Sequence, residues 1–137
     1  MANYEKKYEK KVKENEKYLN LFETWLRQNG LSQKTIKKHI ENVSVYINDF
    51  LNYYEITDMK EGCTSIDEYL GDWFVRKCLW STPSTIKSTA ASIKKFYNCM
   101  KELNYVTKNA YDFLCEEIKE NIEYWVSNVE DYNDIDW

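Results

Sequence analysis

Residues that break regular structure are scarce: the 137 positions include three glycines and one proline. Hairpins and closed sheets draw on such residues for their turns, so a β-rich fold is disfavoured and long helices are expected. Histidine occurs once, at His39, and Cys63, Cys78, Cys99 and Cys115 stand fifteen to twenty-one residues apart with no C-x-x-C pair. Zinc needs close ligand pairs, so no metal is expected, and the cysteines read as reduced, small apolar groups. Arginine occurs only at Arg27 and Arg76. No nucleophile–base pair or glycine-rich phosphate loop is present, so neither catalysis, nor a cofactor, nor a small-molecule substrate is expected. No apolar run is long enough to span a bilayer, and the lysine-rich start lacks the apolar core of a signal peptide. A cytoplasmic protein without membrane contact follows.

What the chain does have is apolar and aromatic weight: 43% hydrophobic residues and 16% aromatic, with 12 Tyr and 5 Trp. That composition supports a packed core rather than disorder. The net charge of −4 hides an asymmetry. Residues 112–137 hold nine acids against one lysine, whereas residues 1–111 hold eighteen Lys/Arg against fourteen acids. A mildly basic body with an acidic end is compatible with an anionic partner.

Five helices are predicted. Residues 3–29 start as a Lys/Glu-rich segment read as solvated, become apolar at Leu19, Phe22, Trp25 and Leu26, and stop at Gly30. Ser32 caps a helix over 33–54 whose core stripe is Ile36, Ile40, Val43, Ile47, Phe50, Leu51 and Tyr54. Lys34, Lys37, Lys38, Glu41, Asn48 and Asn52 lie opposite, and His39 flanks the stripe as a packing residue. The cations sit beside the free N–H groups of the first turn, a setting suited to phosphate. After a loop through Thr57–Thr64 containing Gly62, Ser65 and Glu68 form a capping box for a helix over 65–79, in which Gly71 permits close packing.

The fourth helix, within 82–104, organises the rest. Thr82 and Pro83 read as N-cap and first helical residue. Ile86, Ala90, Ile93, Tyr97 and Met100 form its apolar stripe. The other face, through Ser84, Lys87, Ser88, Ala91, Lys95 and Asn98, has small side chains and cations. A connector at Tyr105–Thr107 leads to a fifth helix, about 109–129, with an acidic outer face and a frayed end, EDYNDIDW. This helix can pack on its own bundle or on a neighbour.

Three segments in this order resemble the N-terminal core-binding (SAM-like) domain of the tyrosine recombinase, or phage integrase, family. They are Tyr18–Leu31 (YLNLFETWLRQNGL), Ser32–Leu51 (SQKTIKKHIENVSVYINDFL) and Ser84–Val106 (STIKSTAASIKKFYNCMKELNYV). The resemblance implies an all-α, orthogonal four-helix bundle over about 18–108, extended by the acidic helix over about 109–130 into a single domain 1–137. It also implies binding of duplex DNA through the second and fourth helices. The residues concerned are Lys34, Thr35, Lys37 and Lys38 on the second, and Ser84, Thr85, Lys87, Ser88, Ser92 and Lys95 on the fourth.

Members of that family carry a further catalytic domain with clustered arginines, histidines and a nucleophilic tyrosine. This sequence ends at Trp137 with two dispersed arginines, and has Asn109-Ala110 where the family has an Asn-Pro-type turn. The expectation is therefore a non-catalytic DNA-binding module in DNA recombination or integration. With about five phosphate contacts and a log–log salt slope near −4 to −5, it binds weakly alone at physiological salt. A catalytic recombinase chain or another copy of itself would supply the remaining affinity. The alternative is a helical protein-interaction or oligomerisation module that keeps the fold but not the DNA.

Overall fold

The computed structural model describes residues 2–78 and 80–133, and every regular element among them is helical. The expected helix end at Leu79 and the last four residues of EDYNDIDW lie outside the described residues. The long helices are α1 (Ala2–Gln28), α2 (Gln33–Ser44), α5 (Pro83–Glu102) and α6 (Lys108–Asn133). The short α3 (Ile66–Glu68) and α4 (Phe74–Lys77) lie between α2 and α5. The fourth and fifth expected helices are thus α5 and α6.

The expected stops and caps of the long helices form by ordinary local chemistry. Gly30 takes φ 82° after α1, a left-handed conformation that glycine adopts without a Cβ clash. Ser32 has ψ 156° and its hydroxyl accepts from Thr35 N. Thr82 has ψ 165°, caps Thr85 N at 3.1 Å, and Thr85 Oγ1 accepts in return from Thr82 N at 2.8 Å, with Pro83 in the first turn. The capping box expected at Ser65 does not form. Ser65 has φ −114° and ψ 6°, not the extended backbone that aims a hydroxyl at the first turn, because a 3-10 helix (Met59–Thr64) runs straight into it. That 3-10 helix also replaces most of the expected loop.

α2 does not continue as an α-helix to residue 54. It passes into a π-helical segment (Val45–Phe50), in which Leu51 N donates to Tyr46 O five residues back at 3.0 Å. A second π segment (Tyr69–Trp73) joins α3 to α4. The helix ends with this segment, at Phe50, and the chain turns away over residues 51–55. Tyr54, expected in the core, is therefore 66% exposed, and Asn52, expected outside, is 1% exposed. The Ile47 carbonyl accepts from Asn15 Nδ2 at 3.1 Å and Asn52 Nδ2 at 3.2 Å. The two π segments meet through their rings, with Tyr46–Tyr69 centroids 4.8 Å apart and Phe50–Tyr69 4.9 Å apart.

The first half of α1 is docked rather than simply solvated. Tyr4 Oη donates to Asn52 O, Tyr8 Oη to Asp49 Oδ1 at 3.2 Å, and Lys11 Nζ pairs with Asp58 at 3.2 Å. This polar seam fixes α1 against the first π segment. Phe22 and Leu26 then enter the core with Ile36, Val43, Tyr46, Ile86, Ile93 and Tyr97.

α6 packs on its own bundle. Leu114, Trp125 and Val129 are fully buried, and Trp125 Nε1 donates to Asp67 Oδ1 at 2.7 Å. Asn128 Nδ2 donates to Gly71 O at 2.9 Å. A Cβ on Gly71 would stand 3.2 Å from Trp125 Cδ1, so the close approach expected at that glycine is made to α6. All four cysteines are free. Burial pushes the thiol of Cys78 up to about 11 and those of Cys63 and Cys99 up to about 12, which keeps them protonated.

Candidate nucleic-acid interface

α2 and α5 lie against each other through a buried polar link. Ser92, on α5, is 0% exposed. Its hydroxyl donates to Ser88 O at 3.1 Å, accepts from Asn42 Nδ2 at 3.0 Å and meets His39 Nδ1 at 2.7 Å. Since the hydroxyl has one proton and gives it to Ser88 O, the matching imidazole tautomer carries hydrogen on Nδ1. Ser92 was expected on the outward face; it belongs instead to the joint between the helices. Lone serines on a helix facing a second helix are held inside by such partners.

This joint sets the outer faces side by side. Lys34, Thr35, Lys37, Lys38, His39 and Ser88 line one open groove of about 650 Å³. Lys34, Thr35, Lys37 and Lys38 are all exposed, and the Thr35 hydroxyl, which accepts from Ser32 Oγ at 3.0 Å, keeps its own proton for a ligand. Glu41 lines the same groove and subtracts one charge. Lys95 is exposed on α5 and lies near enough to His39 to act on its charge.

The remaining candidates are elsewhere. Thr85 is half-buried and its hydroxyl is held in the α5 cap, donating to Trp80 O at 3.2 Å or Thr82 O at 3.0 Å. Ser84 is exposed in the first turn of α5. Lys87 faces α6, in a cleft of about 220 Å³ shared with Glu123 and Glu130. The acidic helix therefore meets one of the expected DNA-facing lysines, and the α2 lysines escape it.

Against known proteins the chain matches no family model, and no curated protein or solved structure is significantly similar to it. Function must then be argued from the geometry of the site.

Burial first, and the Lys95 charge second, lower the His39 pKa. Between that lowered value and the ordinary one near 6.5, the unfolded chain binds a proton that the folded chain does not. The stability from neutral His39 is thus complete above the ordinary value and is lost as pH falls through the window. Thermal melts at about pH 7.5 and 5.5 check this, and His39→Gln is expected to lose less on acidification than the unaltered chain.

A second basic surface has no counterpart in the linear pattern. Lys60, Lys101 and Lys108 line a groove of about 490 Å³ around Tyr105 at the start of α6. Lys17 and Lys60 lie 5.6 and 5.9 Å from the Tyr105 ring centre, and Lys101 lies 4.5 Å from that of Tyr111. These cations come from separate elements, so only the folded chain brings them together. Among the described residues no helix is long and apolar enough to cross a membrane, and no cluster of three His, Cys, Asp or Glu could hold a metal ion.

Proposed function

We propose that the chain is a non-catalytic, DNA-binding module of the integrase core-binding kind, with the helices arranged as in its orthogonal SAM-like bundle. The observation that carries this reading is the single groove between α2 and α5, in which three exposed lysines, Thr35 and Ser88 face outward together. Lysines supply the charge for backbone phosphates, hydroxyls the short hydrogen bonds, and the first turn of α2 its free N–H groups. Ser88, being small, lets the duplex approach α5. Lys95 extends the contact beyond His39. Glu41, within the groove, holds affinity down, in keeping with a module that acts in the cytoplasm beside a catalytic chain or a second copy.

Anisotropy of an end-labelled duplex in about 50 mM salt tests this. Saturable binding that is displaced by unlabelled duplex is expected. No binding at that salt overturns the reading.

A second reading has one observation in its favour. α6 exposes Phe113 (46%) and Tyr124 (63%) on its solvent side, where Glu116, Glu120 and Glu123 are also exposed. Aromatics set among acids suit a protein partner. Binding of a protein through this face with no affinity for DNA would favour an interaction module.

A further inference from the structure

Next to the groove lies a more enclosed cavity of about 340 Å³, between α2, α4, the turn at Trp80 and α5. Its volume is at the small end of the range of about 300–1,000 Å³ for ligand pockets. Three aromatic rings form much of the lining. Phe74 and Trp80 meet edge to face with centroids 6.4 Å apart, and Phe74 and Tyr69 likewise at 5.5 Å. Trp80 is 58% exposed, so its ring is open to a stacking partner. Tyr69 is fully buried, and its hydroxyl has no protein hydrogen-bond partner. A buried hydroxyl left unpaired is costly and is a feature of sites that pair on binding. Asn42, Thr89 and Glu41 place an amide, a hydroxyl and a carboxylate on the same lining. Lys38 belongs to both this cavity and the basic groove.

We propose that the cavity takes one unpaired base of a nucleic acid whose backbone runs along the groove, a proposal that rests on the DNA-binding reading above. The base stacks against the exposed Trp80 ring, and its polar edge pairs with groups such as the Tyr69 hydroxyl and the Asn42 side-chain carbonyl, the Asn42 Nδ2 being given to Ser92. Lys38 meets the adjoining phosphate. A planar heteroaromatic fits where an aliphatic chain does not, because the lining offers both ring faces and hydrogen-bonding atoms. The shared lysine ties the base site to the backbone track.

Three labelled duplexes of equal length test the proposal by anisotropy: fully paired, with one extra unpaired adenine, and with an abasic nucleotide at that same place. The whole chain is expected to bind the adenine bulge about tenfold more tightly than the paired duplex, as one stacked base allows. The abasic bulge should lose that gain. Trp80→Ala should bind all three alike, at the paired-duplex affinity of the unaltered chain, and Tyr69→Phe should reduce the preference about threefold through loss of one hydrogen bond. Equal binding of paired and adenine-bulged duplexes overturns the base site and leaves the groove reading intact. Tight binding of the abasic bulge, or a preference that survives Trp80→Ala, overturns it too. Binding of none of the three overturns both.

Discussion

Gly62→Ala is expected to lower folding stability by about 3 kcal/mol, the upper part of the range for overpacking a core. A Cβ at this position would stand 2.0 Å from Tyr97 Oη and 3.2 Å from Leu51 Cδ1. Tyr97 is fully buried, and its hydroxyl donates to Met59 O at 2.7 Å. Tyr46 Oη donates to the carbonyl of Gly62 itself. The ring cannot retreat without breaking a buried hydrogen bond, and the glycine cannot move without breaking another. Urea denaturation measures the effect as a fall in midpoint. In a Tyr97→Phe background the same substitution should cost less, because the nearest obstacle has been removed. Equal costs in both backgrounds would mean that the clash is not what destabilises the variant.

Replacing Lys34, Lys37 and Lys38 together by glutamate is expected to weaken duplex binding by at least about a hundredfold at low salt. Each lost phosphate contact reduces affinity, and each new carboxylate repels the backbone. All three side chains are exposed, so the melting temperature should hardly change. Lys87→Glu makes a contrast. It lies in the cleft with Glu123 and Glu130 rather than in the α2–α5 groove, and a much smaller effect on binding is expected. A loss as large for Lys87→Glu as for the triple variant would place the DNA on the wrong side of α5.

Much of the helical frame can be read from the residues alone, because local rules govern it. The stripe Ile86, Ala90, Ile93, Tyr97 and Met100 is buried throughout, and Thr82, Pro83, Ser32 and Gly30 act where their chemistry suggests. Two kinds of feature were not legible. The first is the pair of π segments. The apolar spacing looks helical to residue 54, but the widened segment is the helix's last, so Asn52 and Tyr54 lie in the turn beyond it and take sides that no wheel assigns.

The second is how many neighbours a helix has. α5 contacts α1, α2 and α6, so burial extends past one stripe to Thr89, Ser92, Phe96 and Cys99. Ser92 was expected outside only by the resemblance, and position in a family pattern does not show which polar residue will face a second helix. The basic cluster around Tyr105 and the cavity at Trp80 depend on elements distant in the chain. The exposure of the α2 lysines was legible because, among the described residues, none packs over the outside of that first turn. α6 could be recognised as acidic but not placed; the buried Trp125 and its bond to Asp67 join it to its own bundle.

The salt dependence of duplex binding measures most directly the polyanion track proposed for α2 and α5. With Lys34, Lys37, Lys38 and Lys95 each meeting a phosphate, the slope of log K against log salt should be about −3 to −4 for the unaltered chain. It should fall to about −1 when the three α2 lysines are removed. A slope near zero, or one unchanged by the loss of those lysines, would contradict it.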